Sequence, residues 1–443
     1  MSTPASTTAE RDARRLHSDT HHAHEADPGE MSIGVIIGRA AEFFDFFVFA
    51  IACVLVFPAR LFPFVDPLTG TLYSFAILAL GFLARPFGSV FFHWVDRNKG
   101  RGAKLTFAMM LLGTSTVAMG LIPTYETLGA WALILLCIFR AAQGFALGGT
   151  WDGLASLLAL SAPENKRGWY AMVPQLGTPI ALIVATALFV YLVMSMSATD
   201  FLDWGWRYPF FVAFAINVVA LFARVRLVAS PDYDHMFKSS DLTPTGMGET
   251  LRAESRGILL GAFTPLASFA MLHMLTVFPL AYVFLYTENS PAGFLTTLLI
   301  GSFVGLAATA ASGVLSDRIG RRKLLIGSAV GIAIFAIVGP ILLSFGGAGQ
   351  TLYVMVGFIL VGLSFGQASG AVAASFNKGN RYTASAITSD LSWIIGAGLA
   401  PFVALFLTAS FGIWAAGAYL LSGAICTLIA LRINKLVSNM GRN

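Results

Sequence analysis

From Met31 onward the chain is a succession of long apolar runs separated by short polar breaks. Six runs cover roughly 34–57, 70–94, 104–122, 128–155, 168–194 and 207–227. A polar stretch from Val228 to Arg256 follows, and six more runs cover roughly 257–286, 292–315, 323–345, 350–375, 382–408 and 411–434. Each run is close to the ~20 residues with which an α-helix spans ~30 Å of hydrocarbon. No water is available in lipid to pair with backbone groups, so helices are the natural spanning element for such runs. The pattern predicts an all-α, polytopic membrane protein with twelve transmembrane helices in two six-helix bundles. The predicted domains are an N-terminal bundle over 31–227, an interbundle loop over 228–256 and a C-terminal bundle over 257–436. Residues 1–30 are polar and lack apolar periodicity, as a disordered tail does, and 437–443 form a second tail. The first apolar run is too long for a cleavable signal.

Composition sharpens this reading. Hydrophobic residues make up 56% of the chain and charged residues 12%, against roughly 25% charged in soluble domains. That is too little charge to cover a water-facing surface. The net charge of +5 changes meaning once the cations are placed. Arg97, Lys99, Arg101 and Lys104, then Lys166 and Arg167, then Arg318, Arg321, Arg322 and Lys323, then Lys378 and Arg381 occupy alternate breaks. Arg60 and Arg207 are the main cations of the other breaks. This is the positive-inside asymmetry, which puts both termini in the cytoplasm of a multi-pass cell-membrane protein. The basic pI therefore reports topology, and no nucleic-acid partner is expected. Cys53, Cys137 and Cys426 are isolated within apolar runs, so neither a disulfide framework nor a metal site is expected. His17, His21, His22 and His24 are read as part of the polar tail, and no cofactor is expected.

The two sets of runs look like copies of one unit. After the second run, Gly88 to Lys104 reads GSVFFHWVDRNKGRGAK; after the eighth, Gly313 to Lys323 reads GVLSDRIGRRK. Each holds a glycine, then Asp-Arg, then Gly-Arg with further base. Two such halves joined by a loop are the sequence mark of a carrier with its substrate site between bundles. The repeated loop, in a twelve-span chain, resembles the signature of the major facilitator superfamily. Finer features resemble its metabolite:proton symporter family, which includes alpha-ketoglutarate, citrate, shikimate and proline/betaine carriers. Gly38-Arg39-Ala40-Ala41-Glu42-Phe43-Phe44-Asp45-Phe46 is similar to that family's G-x-x-x-E-W-Y/F-D-F. Arg85-Pro86-Phe87-Gly88 and the segment from Arg140 through Gln143 and Gly144 to Gly148-Gly149 are similar to its R-P-x-G and R-x-x-Q-G-x-x-x-G-G. Arg167-Gly168-Trp169-Tyr170 with Pro174-Gln175, the block Trp204 to Phe210, and Arg381-Tyr382-Thr383 extend the likeness from about residue 34 to 410. Three departures stand out. Thr150 replaces the family's usual Glu, with Asp152 two residues on. Extra residues between Asp96-Arg97 and Gly100-Arg101 imply a turn unlike that of the second copy. Asp390 stands where relatives carry an uncharged polar residue.

Charged residues inside the spans are the candidates for mechanism. A charge at mid-membrane costs about 2.5–3.5 kcal/mol on insertion scales, so it lines a cavity or pairs. Arg39, Glu42 and Asp45 recur every third residue and share one helix face. Asp45, then Glu42, is expected to carry the proton, although a local Arg39–Glu42 pair would neutralise both. Asp390 is a third proton candidate, with a cation from another span as its partner. Arg140 either grips a substrate carboxylate through its planar fork or locks the fourth span to a carboxylate on the first. Arg39, Gln143 and Gln175 join it as candidate substrate ligands. Arg85, Asp96, Arg97, Gly100, Arg101, Asp317, Arg318, Gly320 and Arg321 are read as gating residues, latching the halves or capping helix N-termini. Gly144/Gly148 and Gly362/Gly366/Gly370 have the four-residue spacing of close helix packing. His273 and Asp152 are read as packing or structural groups. Gly362-Leu363-Ser364-Phe365-Gly366 fits a hydrolase pattern, but it falls inside a span and not at a strand-to-helix turn.

The expected function is proton-coupled symport of a small organic acid or zwitterion by alternating access, not catalysis. A facilitative uniporter or exporter, or a membrane sensor on the same scaffold, are the alternatives. The expected partners are a small-molecule substrate, protons and the lipid bilayer, with the protein acting as a monomer.

Overall fold

The structure, a computed structural model, describes residues 28–150, 153–160, 162–228, 242–373, 376 and 378–433. Its long helices are α1 (Pro28–Leu55), α2 (Pro67–Lys99), α3 (Arg101–Gly120), α4 (Ala130–Gly149), α5 (Arg167–Ser195) and α6 (Gly205–Val228). The second set is α7 (Leu266–Tyr286), α8 (Pro291–Ile319), α9 (Arg321–Ser344), α10 (Gly346–Ala373), α11 (Arg381–Phe411) and α12 (Trp414–Ile433). Eleven of them are long and apolar enough to cross a membrane. The other, α1, is 28 residues long and differs from them in carrying three charged residues, Arg39, Glu42 and Asp45, within its apolar stretch. The fold is all-α and polytopic.

The helix pairings repeat. In the first half α2 packs on α4, α3 on α4 and α6, and α1 on α5 and α6. In the second, α8 packs on α10, α9 on α10 and α12, and α7 on α11 and α12. Between the halves, α5 meets α8 and α2 meets α11, again as a matched pair. Starts repeat too. Asp66 accepts the Thr69 N–H and Ser290 accepts the Gly293 N–H, each followed by proline at the first helical position, where its missing N–H costs nothing.

Small residues set the closest approach. A Cβ on Gly144 would sit 2.6 Å from Gly81 Cα, and one on Gly362 would sit 2.6 Å from Ala308 Cβ. These four-residue glycine rows therefore bring α4 onto α2 and α10 onto α8, as their spacing predicts. Ser364 of the hydrolase-like pattern is buried in α10, where its Oγ donates to Val361 O at 3.3 Å; no strand-to-helix turn surrounds it.

Three sequence expectations need correction. The polar stretch 228–256 is helical from Met247, the start of a helix over Met247–Phe263. The fourth span stops at Gly149, six residues before its predicted end at 155, and Leu154–Leu160 is a separate short helix. The turns of the two signature loops do not differ. Gly100 (φ 86°) and Gly320 (φ 88°) adopt the same left-handed turn and donate to the carbonyls of Asp96 and Ser316, four residues back. The extra residue is absorbed into the end of α2, so the motif aspartates stand one helical residue, about 100°, out of register.

Prolines break the spans of the second half. Pro279 lacks the N–H that would close α7, which interrupts it at Val277. Pro401 likewise has no N–H to offer the carbonyl of Ala397 four residues back, which lies in a π-helical turn over Ile394–Gly398 and accepts the Leu399 N–H instead. Replacing Gly144 by Leu is expected to prevent α2–α4 contact, at about 1–3 kcal/mol or more. Gly327→Leu, where a Cβ meets nothing within 4 Å, is expected to leave the protein intact. Monodispersity and thermal unfolding of the two variants in detergent check the contrast.

Candidate functional site

A cavity of ≈ 40 Å³ lies between the halves, lined by Arg39, Glu42, Phe43 and Phe46 of α1, Gly81, Phe82 and Arg85 of α2, Arg140 and Leu147 of α4, and Trp393 of α11. It has room for water, and its wall carries four aromatic rings, three guanidiniums and one carboxylate. Glu42 is held by two guanidiniums, Arg39 at 3.0 Å on its own helix and Arg224 of α6 at 2.8 Å. Arg224 also donates to Thr150 O at 2.5 Å. Arg140 donates to Leu78 O at 3.0 Å through Nη2 and to Gln143 Oε1 through Nη1, while its plane lies over the Phe49 ring at 4.4 Å.

Asp45 faces away from this cavity, into the first half. It accepts from Asn217 Nδ2 of α6 at 2.8 and 2.9 Å and from Thr116 Oγ1 of α3 at 2.9 Å. It makes no ion pair among the described residues. Gln143 Nε2 donates to Thr116 Oγ1 at 2.7 Å, so a relay runs Asp45–Thr116–Gln143–Arg140 and ends at the cavity. The other carboxylate, Asp390, bridges the halves: Arg85 Nε approaches it at 2.7 Å and Ser89 Oγ donates to it.

Toward the end of the bundle that holds Gly100 and Gly320, two further clasps cross between halves. Lys104 Nζ meets Asp96 at 2.7 Å and donates to Tyr382 OH at 2.7 Å, and Tyr382 in turn donates to Asp96 at 2.9 Å. On the other side Asp317 accepts the N–H groups of Gly168 at 2.6 Å and Trp169 at 3.1 Å, at the start of α5. Arg321 donates to Gln367 Oε1 at 3.2 Å and Gln367 to Gly168 O at 3.0 Å. The register shift in the signature loops explains the contrast. Asp96 reaches side chains, and Asp317 reaches a helix N-terminus. The chain between the halves is fastened here as well: Arg101 donates to Leu242 O at 2.9 Å, Thr245 N–H donates to Thr383 Oγ1 at 3.0 Å, and His93 Nε2 bonds Thr245 O.

Of the residues singled out from sequence, Arg39, Glu42, Arg85 and Arg140 share the cavity wall. Gln143 stands behind Arg140, and Gln175 is buried in the turn Val173–Leu176 without lining the cavity. Arg97 and Arg318 are exposed. Asp152 and the tail histidines lie outside the described residues. Sequence reasoning missed Arg224, Asn217, Thr116, Ser89, Lys104 and Tyr382. Asn217, a lone amide in the run Phe214-Ala215-Ile216-Asn217-Val218-Val219, carried a readable signal. Arg224 and Lys104 stand near helix ends, where a cation carries no signal of its own.

Comparison with known proteins fits this geometry. Residues 31–244 match the family model described as Sugar (and other) transporter. The chain is 35% identical over 428 residues to the inner membrane metabolite transport protein YhjE of Escherichia coli, covering 93% of this chain and 96% of that one. It is 30% identical over 418 residues to the shikimate transporter of Escherichia coli, covering 91% and 94%. Among solved structures, the D-xylose-proton symporter superposes with a TM-score of 0.71 at 17% identity, covering 94% of this chain and 99% of that one. With matched halves, a polar cavity between them and relatives aligned over nearly its whole length, the chain belongs to the major facilitator superfamily, among its metabolite:proton symporter-like transporters.

Proposed function

We propose that this chain carries a small organic acid across the cell membrane together with protons, with both termini cytoplasmic. The observation that supports this most is the relay from Asp45 to Arg140, which joins a buried carboxylate to a cation on the cavity wall. Arg39, Arg85 and Arg140 face the cavity against one lining carboxylate, Glu42. Such an excess of guanidinium favours an anion, which a planar fork can grip at two oxygens. The aromatic rings opposite suit an apolar body. The relative named a shikimate transporter is consistent with a compact ring acid.

Glu42 and Asp45 divide their work by their partners. Two arginines make Glu42 a fixed negative charge that orients Arg39. Among the described residues Asp45 has only amide and hydroxyl partners, and these serve either protonation state. Asn217 Oδ1, unpaired among the described residues, becomes the acceptor for a protonated Asp45 once the amide rotates. Protonation then loosens Thr116 and Gln143 and frees Arg140 to engage the solute. The Asp390–Arg85 bridge and the Asp96 and Asp317 clasps close the cytoplasmic side, and breaking them opens the cavity inward. The Lys and Arg excess at this end supports that orientation. Each proton moved down 100 mV supplies about 2.3 kcal/mol, a gradient of roughly fifty-fold at about 1.4 kcal/mol per decade. Both halves of the cavity come from one chain, so a monomer suffices, and no chemistry on the solute is assigned.

In proteoliposomes with an imposed pH gradient, Asp45→Asn is expected to abolish uphill accumulation while retaining solute exchange at equal concentrations. Uphill accumulation equal to the parent's would exclude Asp45 as the coupling group. Arg140→Lys keeps the charge but loses the fork, and is expected to raise KM about ten-fold, near 1.4 kcal/mol. An unchanged KM for an anionic solute would remove Arg140 from its site. A protonophore is expected to collapse the parent's accumulation; a facilitative uniporter would show none to collapse.

A further inference from the structure

Behind the cavity lies a polar group that the carrier mechanism above does not use. His273 of α7 is completely buried. Its Nδ1 bonds Ala397 O at 2.6 Å, the carbonyl to which Pro401 offers no N–H. A carbonyl only accepts, so Nδ1 carries the hydrogen, and in a neutral imidazole this makes Nε2 an acceptor. Nε2 is buried and has no hydrogen-bond partner among the described residues. Burying an acceptor without a donor is unfavourable, and a packing histidine would not require it.

Its surroundings place the imidazole against the cavity wall. The imidazole stacks on Phe46 with centroids 4.7 Å apart and planes 7° apart, and lies 5.7 Å from Phe82 and 6.3 Å from Trp393. All three rings line the cavity. Phe46 and Phe82 belong to the first half, Trp393 and His273 to the second. The aromatic wall is therefore a seam between the halves. A parting of the halves would split this seam and open the imidazole to the cleft that Arg39 and Arg140 also line.

We propose that His273 is the second recognition point of this site, accepting a hydrogen bond from a hydroxyl or N–H on the solute, remote from its carboxylate. This rests on the carrier reading and narrows it to donor-bearing carboxylates. The Pro401–Ala397–His273 contact fixes the tautomer that selects for a donor.

The test uses the full chain purified in detergent, with no proton gradient, so that it stands apart from proton coupling. Matched probes with and without a donor are titrated: 4-hydroxybenzoate against benzoate, shikimate against 1-cyclohexenecarboxylate, and proline against N,N-dimethylproline. The readout is the concentration giving half-maximal thermal stabilisation. The parent is expected to favour the donor-bearing member by about ten-fold in at least one pair. His273→Phe is expected to bring that ratio to within about two-fold by weakening the donor-bearing probe alone. His273→Gln, which offers an amide oxygen, is expected to keep part of the preference. Should the Phe variant not fold, His273→Leu makes the same comparison. A preference that survives His273→Phe, or a parent that binds probes without preferring donors, overturns the inference. Stabilisation by no carboxylate overturns it together with the anion-carrier reading. The expected ratios with no gradient-driven uptake support His273 and remove only the proton-coupling claim.

Discussion

The cost of holding charge away from water organises this molecule. α1 carries Arg39, Glu42 and Asp45 within two turns, and each must find a partner before the helix can sit among apolar neighbours. Glu42 finds Arg39 and Arg224; Asp45 finds Asn217 and Thr116; Arg85 finds Asp390. These bonds tie α1 to α6 and α3, and α2 to α11. The polar groups hold the first half together and touch the second only where the halves meet. A cavity with paired charges on its wall is the result.

Close packing makes that pairing possible. Glycines on α4 and α10 let backbones approach until side chains from α2 and α8 can be shared between neighbours. Prolines act in the opposite direction. Pro279 and Pro401 interrupt α7 and α11, and the Ala397 carbonyl, to which Pro401 offers no N–H, is what orients His273. Broken helices occur in both halves, α5 at the Val173–Leu176 turn and α7 and α11 at their prolines, whereas the first half supplies most of the charge. A structural repeat thus carries unequal tasks on its two copies.

The two signature loops show the same inequality at finer scale. Their turns are identical at Gly100 and Gly320, yet one added residue rotates Asp96 relative to Asp317. Asp96 clasps Lys104 and Tyr382 side chains, and Asp317 caps the start of α5. Side-chain bonds and backbone caps have different geometric tolerances, so the two sides of the clasp need not release together.

Sequence alone determined the solvent of this protein and its element count. Apolar runs of spanning length have few alternatives in lipid. It also exposed the repeat and the charged positions, because charge in an apolar run is conspicuous: Arg39, Glu42, Arg85 and Arg140 were all legible and converge on one cavity. What it could not give was direction. Asp45 and Glu42 lie on one helix face, three residues apart, yet one turns into the first half and the other lines the cavity. That outcome depends on where α3, α6 and α11 stand, which only long-range packing fixes. Neutral partners such as Asn217, Thr116 and Ser89 are common in membrane helices and acquire meaning only beside a carboxylate. The tertiary structure decided which charges are paired, which line the cleft, and which acceptor, on His273, has no donor among the described residues.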